Sequence, residues 1–144
     1  AGPAERRDAA LRFLARTQEV SGAWAGDRAA TALAALAFAL GGHTAQRGDF
    51  RPQLARAAAW LRGQEPDPLG ELALRAIAGE AVDSAVARAR AQEVAAAAGL
   101  DPERLASAQR LGGDADGAVL RPGADHLRPS AETLALTAAL ALLV

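Results

Sequence analysis

Two histidines, His43 and His126, are the only imidazoles in the chain, and there is no cysteine. Each histidine has an acid close in sequence, His43 with Asp49 and His126 with Asp125. Such pairs shuttle protons or hold a metal when geometry brings them together. Both pairs lie in loop-like sequence without metal-ligand spacing, so they read as loop histidines, and no catalytic or metal-binding residue is assigned. Asp114, Asp116 and Asp125 offer the oxygen ligands that Ca²⁺ takes. Their spacing fits no EF-hand loop, and polar turn chemistry accounts for them. The missing cysteine excludes thiolate catalysis, disulfides and cysteine-ligated zinc. No glycine-rich phosphate loop follows a strand, because no stretch reads as a strand. No cofactor is implied.

The elements that would position any such group are helices. Over a quarter of the chain is alanine, and Ile77 is the only isoleucine. Alanine loses no side-chain entropy in a helix, whereas strands favour β-branched and aromatic residues. Helix should cover more than roughly 60% of residues, far above the usual third. The 144 residues fit one domain with a real core. That core must come from Leu and Ala, with Phe13, Trp24, Phe38 and Trp60 as its large pieces. The net charge of −1 spreads arginines among acids, which gives no electrostatic footprint for nucleic acid. No 18-residue apolar run is present to make a transmembrane segment. The compartment stays open. The start without Met and the apolar end, residues 134–144, suggest a domain excised from a longer protein.

Apolar spacing predicts an amphipathic helix over 8–18, then a helix over 27–40 that is apolar nearly all round, with Asp27 as its cap. Amphipathic helices follow over 51–63 and 82–98, a short apolar one over 69–80, and a further one from Asp101-Pro102 to about Leu111. Residues 114–129 are the longest irregular stretch. A last apolar helix over 130–144 should be central. The result is an all-α fold of about three helical hairpins. Residues 10–18 align with 57–64, and each segment places an aromatic-Leu pair (Phe13-Leu14, Trp60-Leu61) shortly before a glutamine (Gln18, Gln64). Repeated hairpins point to a solenoid or a toroid.

One segment is more specific. Ala10-x-x-Phe13-Leu14-x-x-x-Gln18-x-x-x-Gly22-x-Trp24 resembles the QW repeat of the terpenoid cyclase and protein prenyltransferase α/α-toroid superfamily. Residues 31–38 with Gly42-His43-Thr44 resemble the inner helix and turn of bacterial squalene-cyclase-like repeats. Residues 114–120 with 130–142 resemble the thioester-domain repeats of alpha-macroglobulin-like proteins, where Trp often stands in place of Leu120. The physical sense of the motif is local: Gln bonds backbone of the turn, Gly permits the tight reversal, and Trp24 packs into the hairpin. A whole toroid needs about twice this length, so the resemblance implies part of one.

The resemblance does not bring the family's chemistry. No Asp-x-Asp-Asp acid motif occurs, and Asp114-Ala-Asp116 is the nearest approach. Five aromatics cannot line a carbocation cavity. The zinc site of prenyltransferases and the thioester both need the cysteine that is missing. The reading is therefore a non-catalytic binding or interaction module within a larger bacterial-type protein. The alternatives are a fragment of a lipid- or isoprenoid-handling enzyme whose catalytic residues lie elsewhere, and a structural spacer. The expected partner is another protein or a second copy, with an apolar ligand admitted. The apolar helices over 27–40 and 130–144 need cover, so a homodimer with the last helix in its interface is expected.

Overall fold

A computed structural model describes residues 1–144. Seven helices follow one another: α1 (Pro3–Thr17), α2 (Arg28–Leu40), α3 (Arg51–Arg62), α4 (Pro68–Ile77), α5 (Ser84–Ala97), α6 (Pro102–Ala108) and α7 (Ala131–Leu143). There is no strand, only one antiparallel bridge between Gln109 and Val119. Five of the seven starts are set by side-chain caps. Asp27, Asp67, Asp83 and Asp101 each accept a backbone N–H of the first turn, and Ser130 accepts from Thr133. A cap of this kind stabilises a helix by about 1 kcal/mol.

The helical share falls just short of the sequence expectation, for local reasons. Helix α4 stops at Ile77 and α6 at Ala108, because Gln109 leaves the helix to enter the bridge. Helix α1, in contrast, starts at Pro3 rather than Asp8. Its first turns carry charge rather than apolar periodicity, and what uses them is a tertiary contact described below.

Helix α2 is the centre of the molecule. Every residue from Ala30 to Phe38 is buried, including Thr31. It packs against α4 on one side and α7 on the other, and α7 in turn packs against α5 and α1. The packing order α4–α2–α7–α5 therefore places the C-terminal helix beside the N-terminal hairpin. Helix α5 contacts α7 through a stripe of small residues, Ala87, Ala91 and Ala95, one turn apart on one face. Burial of each large apolar side chain contributes about 1.5–3 kcal/mol, and Trp24, Phe13, Phe38 and Leu36 are all fully enclosed.

This packing removes the reason for a dimer through the last helix. On α7, Leu134, Leu136 and the run from Thr137 to Leu142 are buried inside the single chain. The apolar faces that needed cover are covered by α1, α2 and α5.

Candidate functional site

The Gln18–Trp24 turn joins α1 to α2 and locks both to α3. Gln18 Nε2 donates to Gly22 O (2.9 Å) inside the turn and to Gln53 O (2.8 Å) on α3. Gln18 Oε1 accepts from Arg56 of the same helix (3.2 Å). Gly22 has φ 100°, and a Cβ there would overlap the Arg56 carbonyl. Glycine is thus required twice, for the left-handed backbone and for the approach of α3. The backbone is pinned by Glu19 N to Ala23 O and Gly22 N to Glu19 O, both 2.9 Å. Trp24 is fully buried, donates Nε1–H to Leu14 O (2.8 Å), and its backbone N–H is received by Thr31 Oγ1 (2.9 Å).

The same arrangement recurs where the chain goes from α6 to α7, and there it locks onto α1. Gln109 Nε2 donates to Gly117 O (3.1 Å) in the turn and to Arg6 O (2.8 Å) on α1. Gln109 Oε1 accepts from Arg6 (3.3 Å). Gly117 has φ 93°, and a Cβ there would overlap the Ala9 carbonyl. Arg110 N donates to Ala118 O (2.8 Å) and Gly117 N to Arg110 O (2.7 Å). Val119 N donates to Thr137 Oγ1 (3.1 Å). Contact for contact, Gln109, Gly117, Val119 and Thr137 stand where Gln18, Gly22, Trp24 and Thr31 stand. The residue in the Trp24 position is Val119, not Leu120. This second junction also explains the early start of α1: its charged first turns are the surface on which Gln109 docks.

Three of the motif residues named from sequence, Gln18, Gly22 and Trp24, meet in the first junction, and Phe13 and Leu14 are buried beside it. Trp60 and Gln64 do not repeat it. Trp60 is only half-buried, and Gln64 Nε2 reaches no farther than Trp60 O of its own helix (3.4 Å). The turn after Gln64 runs through Pro66 straight to the Asp67 cap, with no room for the glycine and the aromatic residue. Sequence reasoning missed Gln109; Thr31, Gly117 and Thr137 lay within the segments that carry the resemblance, but no role was assigned to them. The available signal was the Gln…Gly-x-apolar order followed by a threonine in the next helix.

At Gln64 the hairpin α3–α4 leaves an open groove of about 220 Å³. Leu61, Leu74 and Pro66 line it, with Arg28, Arg62, Glu65 and Glu71 at its margins, and its exposed surface is mostly apolar. A second depression of about 290 Å³ shares Arg62 and Leu74 and continues past Ala58 to Ile77 and Ala78. Together they run along the α3–α4 seam.

The histidines sit apart from this groove. His43 is half-buried, packs edge-on against Phe50 (4.9 Å between ring centroids), and accepts the Asp49 backbone N–H at Nδ1 (3.4 Å). It borders an open depression of about 400 Å³ with Asp8, Arg12 and Asp49. Thus the backbone of Asp49, not its carboxylate, is what His43 engages. Asp125 accepts from Leu127 N (2.9 Å) in a local turn. Asp116 is tied into the second junction. Its carboxylate accepts Gly112 N–H (2.7 Å) and pairs with Arg12 (3.1 Å). The Gly112 hydrogen bond, reinforced by Arg12, holds that carboxyl below the usual carboxylate range. No group of three His, Asp or Glu side chains is placed to hold a metal ion. No helix is long and apolar enough to cross a membrane.

No family model, curated protein or solved structure matches the chain.

Proposed function

We propose that this chain is a non-catalytic interaction module of the α/α-toroid type, acting within a larger protein, and that the α3–α4 groove is where a protein partner sits. The observation that carries this reading is the contrast between filled and open hairpins. The hairpins α1–α2 and α6–α7 have their turns packed on another helix of the chain, while α3–α4 keeps an apolar groove with a charged margin. An apolar centre with a polar rim is the usual anatomy of a protein interface.

The groove is a poor fit for the competing isoprenoid-handling reading. Small-molecule sites bury most of the ligand, whereas the groove and the depression that continues it lie open along the α3–α4 seam. It suits inserted side chains of a protein surface better than a polyisoprene chain.

A photo-crosslinking residue at Leu74 in the full-length protein tests the proposal in cells. The expected product is a discrete protein adduct, lost when the exposed margin is changed by Glu71→Arg. Adducts only with lipid would support the isoprenoid-handling reading, and no adduct at all would leave the spacer reading standing; either result contradicts the proposal.

A further inference from the structure

We infer that the Asp116–Gly117 bond is a latent modification site. Opening of the second junction lets it close to a succinimide and reopen as isoaspartate, and the altered main chain then keeps the C-terminal hairpin from docking back on α1.

The chemistry starts from the residue pair. Asp116–Gly117 is the only Asp–Gly pair in the chain, and the chain has no asparagine. The Gly117 nitrogen can attack Asp116 Cγ because glycine has no side chain to obstruct the approach. A new N–Cγ bond forms as the amide proton and the carboxyl hydroxyl leave together as water. Water then returns to the five-membered imide. Attack at Cγ breaks the new bond and restores aspartate. Attack at the main-chain carbonyl breaks the original C–N bond, and the chain then runs through Cγ. The product has the same composition as the starting chain, so no oxidant, reductant or other co-reactant takes part.

In the docked junction every polar atom of this unit is held. The carboxylate accepts Gly112 N–H at Oδ1 (2.7 Å) and Arg12 at Oδ2 (3.1 Å). The Asp116 carbonyl accepts from Arg16 (2.8 Å), and Gly117 N–H donates to Arg110 O (2.7 Å). Ring closure requires the peptide plane to turn until its nitrogen faces Cγ, and that turn breaks the last two bonds together. The first two draw the carboxylate toward Gly112 and Arg12 and keep it ionised, and an ionised oxygen is a poor leaving group. Arg12 and Arg16 both belong to α1. The protection therefore lasts only while the hairpin is docked.

The consequence falls on the same contact. Isoaspartate lengthens the main chain by one carbon immediately before Gly117. Gly117 lies so close to α1 that even a Cβ would overlap the Ala9 carbonyl. The lengthened turn no longer brings Gly117 to Ala9 while Gln109 holds Arg6, so the junction does not close again. The first junction has Ser21 before its glycine and carries no such bond. The modification thus acts on one hairpin only, as a one-way record of its opening.

The test incubates the intact protein at neutral pH and physiological temperature and follows residue 116 by peptide mapping. Isoaspartate there resists cleavage by an aspartate-specific endoprotease. A free peptide of residues 110–121 gives the unprotected rate. The parent should isomerise at least about tenfold more slowly than the peptide, since each event awaits local opening. Gln109→Ala and Arg16→Ala should each speed the reaction severalfold, while Gln18→Ala stays at the parent rate. Arg16 is exposed, so Arg16→Ala carries the test even if Gln109→Ala fails to fold. The isomerised protein, separated by chromatography, should show faster hydrogen exchange in residues 109–120 and parent-like exchange in 18–26. A parent as fast as the peptide, or an Arg16→Ala rate equal to the parent's, would show that the junction does not guard the bond. Equal acceleration by Gln18→Ala and Arg16→Ala would assign the reaction to opening of the whole molecule and overturn the inference. Isomerised protein with native protection in 109–120 would also overturn it, since the modification would then leave the hairpin docked.

Discussion

The two glutamine junctions use the same contacts but differ in what fills them. In the first, Gln18 and Gly22 are four residues apart and Trp24 fills the space beneath the turn. In the second, Gln109 and Gly117 are eight apart, and the smaller Val119 takes that place. The longer turn is braced from outside instead. Asp116 collects the Gly112 N–H and Arg12, and Arg16 donates to the Asp116 carbonyl (2.8 Å). One junction is held by an aromatic side chain within the core, the other by ion pairing at the surface. The constant parts, Gln, Gly and Thr, are the ones that touch backbone. The variable parts are those that fill or brace whatever space the turn leaves.

The largest effect should separate the two fillers. Trp24→Ala is expected to cost about 3–5 kcal/mol, as large buried aromatic truncations do, and Val119→Ala about 2 kcal/mol. Chemical denaturation of both variants checks this. A Trp24→Ala loss below 1 kcal/mol would mean that the aromatic plug does not hold the first junction.

The glycines should behave alike despite that difference. Gly22→Ala and Gly117→Ala each force a left-handed alanine, costing about 1–2 kcal/mol, and each drives a methyl into a helix carbonyl. A total near 3 kcal/mol is expected at both sites. If one proved silent in thermal melts, the two turns would not be the same device.

Next in size are the backbone readers. Thr31→Val and Thr137→Val leave the buried N–H of Trp24 and of Val119 without an acceptor, at about 1–3 kcal/mol each. Serine at either position should restore most of the loss, and equal losses for serine and valine would point to packing of the methyl instead.

The smallest effect should be the most one-sided. Asp116 has its carboxyl pKa lowered in the folded state, so its contribution is present above the unfolded value near 4. It is lost as pH falls through the lower folded value. Asp116→Asn should therefore cost under about 1 kcal/mol at neutral pH and nothing once the carboxylate is protonated, since the group is partly solvated. Stability measured against pH should show the gap between variant and parent shrinking as pH falls from the unfolded value near 4 and closing once it has passed below the lowered folded value; a gap that stays constant through that fall would show that Asp116 acts by shape rather than by charge.

The contrast also explains what was legible in the sequence. The all-helical class, the all-round apolar character of α2 and the first turn could be read from local residues, because propensity, caps and the Gln-Gly-Trp spacing are local signals. The second junction was legible only as a resemblance over 114–120 and 130–142, without its glutamine or its contact with α1. Its turn is stretched by Gly112-Gly113, its filler is an ordinary valine, and its acceptor, Arg6 O, lies 103 residues away. Helix α1 was read five residues short for the same reason, since Arg6 carries no apolar periodicity and earns its place through Gln109. The alignment of 57–64 with 10–18 found a glutamine but not a junction, because Gln18 is itself the extended cap of α1, whereas α3 is capped by Gly63 and Gln64 comes one residue later, with no turn glycine and no aromatic residue after it.

The central claim is that Gln109 fastens the C-terminal hairpin to α1 by the contacts with which Gln18 fastens the first hairpin to α3. Native-state hydrogen exchange on Gln18→Ala and Gln109→Ala measures it directly. The account predicts that Gln18→Ala speeds exchange in residues 18–26 while 109–120 stay protected. Gln109→Ala should do the reverse, with a comparable loss of protection. Exchange that rises evenly along the chain in either variant, or a Gln109→Ala pattern indistinguishable from the parent, would contradict it.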